Sequence, residues 1–375
     1  MPCRHSLSFL AFRPFAEASA FVLLLAAVGC QSPGVKEARK PITLTPVAEP
    51  LLDPKKLSSE SSKAIKELDL ESLHRKDPAE LVRALNRGLA SAGPMDRRRQ
   101  AAAEVLCDEA FKLKEDHPAS ALGWYLAAAR ITYPAAISSH DDRDPSELLT
   151  LYNHACAIAA ELAFLESRGG HSTIQGESPL GTESVSFQSD APHCFDPADF
   201  DDLKVAELLK VKGYSEREIE PGIGGSLAGH IPSTEERAAA DPFLPNIGMA
   251  IPVTATLHFS SDRSVATQLR LHDVLAKDDA QIGGHDFRLA ADFTAPLALL
   301  ETIAPFMKTG RKAMFHPAEF LGTTGLYRIE PFREDKIPVI LVHGLSKTPA
   351  VWAEMINELW ADPVIRDHYQ FYCFR

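Results

Sequence analysis

The sequence predicts a multidomain chain of the α+β class, and three observations carry that prediction. Residues 61–167 space their apolar side chains as helices do. Beyond residue 200 the pattern changes to short segments that alternate apolar and polar residues between turn signals. Near the end, the unbroken apolar run "IPVILV" is followed by a helix pattern and then another strand pattern, the order of a parallel strand–helix–strand unit. A length of 375 residues allows two or three domains. The composition, 45% hydrophobic and 24% charged, is that of a globular chain. A formal net charge of −12, with no basic cluster, argues against nucleic acid as a partner.

Taken in order, residues 1–29 read as a signal peptide. Arg4, His5 and Arg13 precede the apolar run of residues 18–29, which is too short for a comfortable bilayer span and has the length of a signal core. The run ends in "AVGC", which resembles the bacterial lipobox, with Ala27 where leucine is usual. That resemblance implies lipidation of Cys30, and Gln31 after it implies sorting to the outer membrane. The expected location is the cell envelope, lipid-anchored, facing the periplasm or the exterior, with the membrane as a partner. Soluble secretion with an incidental Cys30 is the alternative. Residues 30–60, rich in Pro, Lys, Glu and Ser without periodicity, are expected to be a disordered tether.

The helical region, 61–167, carries small and aromatic pairs such as Trp124 with Tyr125 that resemble tetratricopeptide-type hairpins, though no fixed period recurs. Residues 168–200, rich in Gly, Ser and Pro, are expected to be a linker. Residues 201–324 form a β-rich accessory region, which opens on an expected short helix, "PADFDDLKVAELLKVKG". "IPVTATLHFSS", "VATQLRLHDVL" and "GHDFRLAADF" follow as strands, and "TAPLALLETIAPFM" as a helix.

Residues 325–375 hold the most specific pattern. "TGLYRIEPF" and "KIPVILVHG" are strands. The second is apolar on both faces, as in the middle of a helix-covered parallel sheet. "PAVWAEMINELWAD" is a helix with Thr348 as its cap and Pro349 in first position, and "YQFYCFR" is the next strand. These residues resemble the third strand and first helix of α/β-hydrolases. The whole segment resembles bacterial lipase-like and GPI inositol-deacylase-like lipoproteins. In that family a backbone N–H in the loop after this strand helps hold the oxyanion of acyl transfer. The resemblance places that donor on Leu345, a turn-forming role on Gly344, and a structural rather than catalytic role on His343. It implies an ester or lipid substrate and no cofactor or metal.

No nucleophile is expected among these residues. "GGSLA", residues 224–228, imitates G-x-S-x-G around Ser226, but the charged "SEREIEPG" before it cannot be the buried strand an elbow requires. His258, His272, His285 and His316 have no metal-ligand spacing and read as packed or solvated. Cys107, Cys156, Cys194 and Cys373 form no CxxC; pairing and burial as free thiols both stay open. The nucleophile, acid and base are therefore expected beyond Arg375, and the chain is expected to be the inactive N-terminal part of a membrane-anchored serine ester hydrolase. On that expectation "YQFYCFR" is an exposed edge and residues 330–375 are poorly held. The alternative is a lipid-anchored, helical-repeat-like binding or scaffold protein with a non-catalytic hydrolase remnant.

Overall fold

The computed structural model describes residues 33–38, 40–42, 48–53, 56–87, 89, 95–138, 146–303, 325–344 and 347–374. It is a mixed α+β structure. Strand β1 (Gly34–Glu37) and helix α1 (Ala48–Leu51) precede a run of helices: α2 (Ser59–Glu67), α3 (Glu71–Lys76), α4 (Pro78–Arg87), α5 (Met95–Leu113), α6 (Pro118–Ala136) and α7 (Glu147–Ser167). Then come β2 (Ile174–Ser178), β3 (Gly181–Phe187), β4 (Cys194–Phe195), β5 (Asp202–Val205), β6 (Leu209–Lys212), β7 (Ile219–Glu220) and β8 (Gly225–Ile231). Helix α8 (Glu235–Ala240) leads to β9 (Met249–His258), β10 (Thr267–Asp273), β11 (Asp279–Ile282), β12 (His285–Arg288) and β13 (Ala291–Asp292). Helix α9 (Thr294–Ile303), β14 (Leu326–Arg328), β15 (Ile337–Val342), α10 (Ala353–Ala361), α11 (Pro363–His368) and β16 (Tyr369–Phe374) complete it.

The central sheet has seven strands in the order β2-β3-β10-β9-β8-β5, with β4 beside β10. Helices α6 and α7 cover one face and α9 the other. The approach is close because glycines stand at the contacts. A Cβ on Gly123 of α6 would lie 2.4 Å from the Gly176 carbonyl carbon of β2, and one on Gly225 of β8 would lie 2.2 Å from the Ala157 nitrogen of α7. On the opposite face Ala228 packs with Ala295 and Leu299 of α9.

Several expected boundaries give way. Residues 33–60 are not a tether where they are described. β1 pairs antiparallel with β6, and Ala48, Leu51 and Leu52 are buried with Ala103 and Leu151. Ser58 caps α2 and both donates to and is held by the buried Glu104 carboxylate. The expected linker, 168–200, contributes three strands to the central sheet. The helix expected from 197 is instead a 3-10 turn capped by Asp196, then β5 and β6. Leu203 and Val205 are buried at a spacing of two, which is a strand's period. Nor are the helical and β-rich regions separate: Pro33–Arg375 is one compact unit.

The C-terminal segment makes its own sheet, in the order β14-β16-β15. β16 is antiparallel to β14 and parallel to β15, with Ile337 opposite Tyr369 and Val342 opposite Phe374. The expected positions are thus reversed. β16 is central and buried over Gln370–Cys373, whereas β15 lies at the edge. Buried polar ties hold this sheet to the rest. Arg366, 1% exposed, donates to Trp360 O (2.6 Å), Asp278 (2.8 Å) and Glu220 (3.1 Å), with its guanidinium over the Phe293 ring. Asn357 accepts from Thr294 Oγ1 at 2.8 Å and donates to Glu216 O at 3.2 Å.

Candidate functional site

β15 delivers the His-Gly turn at its carboxyl end, where parallel strands of α/β units place ligands. Its side chains divide by face. Leu341 is buried against the body of the protein, whereas Ile340 and Val342 are 55% and 62% exposed. This is not the doubly covered strand that its composition predicts: among the described residues no layer covers the face that Ile340 and Val342 present, and the edge position leaves one hydrogen-bonding side unpaired as well.

His343 Nδ1 lies 3.0 Å from Gly344 O. A carbonyl only accepts, so Nδ1 is the donor in this contact. Nε2 is buried and has no partner among the described residues. The same holds for Thr348 Oγ1 and the Trp352 indole N–H. Thr348 begins the 3-10 turn Pro349–Trp352, yet its side chain makes no capping bond. Native structures leave few such groups unpaired, since each costs about 1–3 kcal/mol. Three of them lie within ten residues here, whereas the others among the described residues are scattered over Asp108, Tyr125, Tyr214, Arg270, Trp360 and Arg366. Gly344 needs no glycine for conformation: its φ is outside the left-handed region and a Cβ would meet nothing within 4 Å. Leu345 and Ser346 lie outside the described residues, as do Cys30 and His316.

Beside the loop is an apolar cavity of about 100 Å³. Pro349, Ala350 and Ala353 of the segment after the turn form one wall. Tyr327, Ile329 and Cys373 of the C-terminal sheet, Leu297 and Leu300 of α9, and Pro245 and Ile247 also line it, and it is open to one side. Burial pushes the Cys373 thiol up to about 12, so it is a neutral part of this lining.

Elsewhere the sequence-derived candidates fall apart spatially or chemically. Ser226 sits inside β8, pairing with Thr254, and not at a strand-to-helix elbow. His272 Nε2 and His258 Nε2 share the Thr256 hydroxyl at 2.7 and 2.9 Å, and Cys194 Sγ lies 3.7 Å from His272 Nδ1. Burial, with Arg270 nearby, drives His258 down to about 4. Burial, with His258 and Arg270, drives His272 to about 3, while burial lifts Cys194 to about 11. A thiol and an imidazole so shifted stay neutral together, which is the reverse of an activated thiolate. His285 is exposed. Cys107, Cys156, Cys194 and Cys373 are free thiols, and no group of three or more His, Cys, Asp or Glu among the described residues could hold a metal.

Sequence reasoning read Thr348 as a cap and Trp352 as part of an apolar stripe; it missed that both bury a polar atom without a partner among the described residues, and missed α9 as part of the pocket lining. Only the three-dimensional approach of α9 reveals the last. Comparison of the chain with family models, with curated proteins and with solved structures finds no match.

Proposed function

We propose that this chain is the N-terminal part of a membrane-anchored serine ester hydrolase of the lipase or esterase kind. In this reading residues 325–375 open an α/β-hydrolase sheet, and the helices of 61–167 are tetratricopeptide-like hairpins packed as its accessory layer. Cys30 carries the lipid anchor, and the protein works at the cell envelope on an ester or lipid. The observation that carries the reading is the His-Gly loop itself: three unpaired buried polar atoms beside an apolar cavity, at the carboxyl end of a parallel strand. The open edge of β15 supports it, since an α/β-hydrolase sheet continues with further strands.

The chemistry divides between what these residues supply and what they do not. The Leu345 N–H holds the oxyanion that develops on the attacked carbonyl, a contribution on the order of 3 kcal/mol for one donor. Gly344, without a side chain, lets the ester approach the backbone. The cavity takes the apolar end of the substrate. Nucleophile, acid and base come from sequence after Arg375, in the order Ser, Asp or Glu, His.

The test uses short-chain p-nitrophenyl esters and a fluorophosphonate serine probe. The 375-residue chain should show neither turnover nor labelling. The same chain extended by the coding sequence that follows codon 375 should show both, and Leu345→Pro in that protein should lower kcat by roughly 10²–10³. Labelling at Ser226 would place the active site elsewhere and sink the proposal. For the anchor, labelled palmitate should be incorporated in a bacterial host and lost in Cys30→Ser.

A further inference from the structure

The wall of the cavity contributed by α9 lies outside the segment that resembles a hydrolase. Leu297 and Leu300 reach the cavity from the accessory region, and Ala353 and Ile356 of the segment after the turn line it with them. α9 itself is held along one face and at its start. Ala295 and Leu299 pack on Ala228 of the central sheet, and Thr294 at its start bonds Asn357 of α10. The sheet-facing side of this wall is therefore anchored. The volume is small: about 100 Å³, against the ~150 Å³ of an apolar cavity that takes benzene. We infer that Leu297 and Leu300 are specificity-determining residues that limit the occupant of this cavity to a short, unbranched acyl chain of about butyl size. The accessory layer thereby sets the chain length accepted by the site it supports. This inference rests on the ester-hydrolase reading for the identity of the occupant, but not for the size limit.

Cys373 provides a reporter, because it lines the cavity. Alkyl methanethiosulfonates transfer their alkyl-sulfur group to a thiol. The cysteine sulfur attacks the divalent sulfur, methanesulfinate leaves with the bonding electron pair, and the thiol proton goes to solvent. The folded chain is treated with methyl, butyl and decyl reagents at one pH, and peptide mass spectrometry follows modification at Cys373. Methyl and butyl should label at similar rates. Decyl should be slower by roughly 10–200-fold, the discrimination that even one misfitting methylene brings in an apolar pocket. Leu300→Ala should restore decyl labelling, and Ala353→Leu should slow butyl while leaving methyl unchanged. Thermal melts of both variants, with labelling compared at equal folded fraction, separate a filled cavity from a failed fold. Decyl labelling as fast as butyl in the unaltered chain, or a decyl rate unmoved by Leu300→Ala, overturns the inference. A size limit without ester turnover in the extended protein would sink the hydrolase reading alone; turnover without the limit would sink this one alone.

Discussion

The two larger sheets of this protein are built on opposite terms. The seven-stranded sheet is covered by helices on both faces, and many of its polar groups are paired internally: Tyr152 OH bonds Leu257 O at 2.9 Å, and Asn153 bridges Gly222 O and Gly224 N at 2.9 and 2.7 Å, while Arg270 Nε of β10 and Tyr125 OH of α6 are buried without a partner among the described residues. Gly176 and Gly225, in two of its strands, are demanded by backbone contact with α6 and α7. The three-stranded sheet has an exposed apolar edge, a glycine that touches nothing, and buried polar atoms without partners around its loop. A region whose polar groups are mostly paired has little left to offer a ligand, whereas clustered unpaired groups carry a cost. On the reading proposed above, the first sheet supports and the second carries the site.

The largest expected effect severs the two. Arg366→Met keeps the bulk over Phe293 but leaves the Asp278 and Glu220 carboxylates short of a partner. Losing the charge-assisted hydrogen bonds of Arg366 costs about 1.5–3 kcal/mol, since Glu220 keeps Arg288 at 2.6 Å and Asp278 is partly exposed. Urea denaturation should show that loss, and hydrogen exchange should show β15 and β16 opening before β8 and β9. Uniform loss of protection in both sheets would mean that the second is no separate layer but part of one cooperative core.

The seven-stranded sheet should answer most to added volume. Gly123→Ala puts a Cβ among Gly176 and Glu177 backbone atoms 2.4–2.6 Å away. Neither backbone can yield without moving α6 off β2, so a destabilisation of about 1–3 kcal/mol is expected in the urea midpoint. A neutral result would mean that the helix layer rides loosely on the sheet.

These two regions were also unequally legible in sequence. "IPVTATLHF" and "TAPLALLETI" declared β9 and α9 through period and composition, because their burial is set locally by alternation or by a helical stripe. Residues 168–200 did not, since Gly176 looks like a linker residue until α6 is laid against it. The same holds for Val35, whose partner Val211 is distant in the chain. The His-Gly loop was legible as a motif, but β15 was misplaced. "IPVILV" specifies apolar surroundings on both faces, and the described fold supplies them on one. The cavity could not be read at all, because Leu297 and Ala353 are brought together only by tertiary packing.

A smaller effect distinguishes a packed histidine network from a functional one. His272 has its imidazole pushed down to about 3 by burial, then by His258 and Arg270, with Thr256 and Cys194 completing its surroundings. In the unfolded chain it titrates near 6.5. Between those values the unfolded state binds the extra proton, so the stability tied to a neutral His272 is full above about pH 6.5 and is lost as pH falls toward 3. Each such group adds up to ~1.4 kcal/mol per pH unit to the slope. Urea midpoints of His272→Gln from pH 4 to 7 should therefore fall less steeply than those of the unaltered protein. Parallel curves would mean that His272 is not kept neutral by the fold, and the seven-stranded sheet would lose its claim to be purely supporting.

The smallest effect on stability is expected at Gly344, and it is the most discriminating of the four. Its φ lies in an ordinary region and its surroundings are open, so an alanine methyl there meets no strain and no neighbour. Surface substitutions of that kind stay within about ±0.5 kcal/mol. If the loop only closes β15 onto the next helix, Gly344→Ala should then be silent in every measurement. If an ester must lie against the loop backbone, the same methyl stands where the substrate goes. Turnover in the extended protein should fall while the urea midpoint does not move. Loss of both would make Gly344 a folding residue, and loss of neither would leave the unpaired His343, Thr348 and Trp352 atoms without a substrate to explain them. The contrast with Gly123, where alanine is costly to fold and remote from the loop, turns one chemical change into a direct reading of which sheet is doing what.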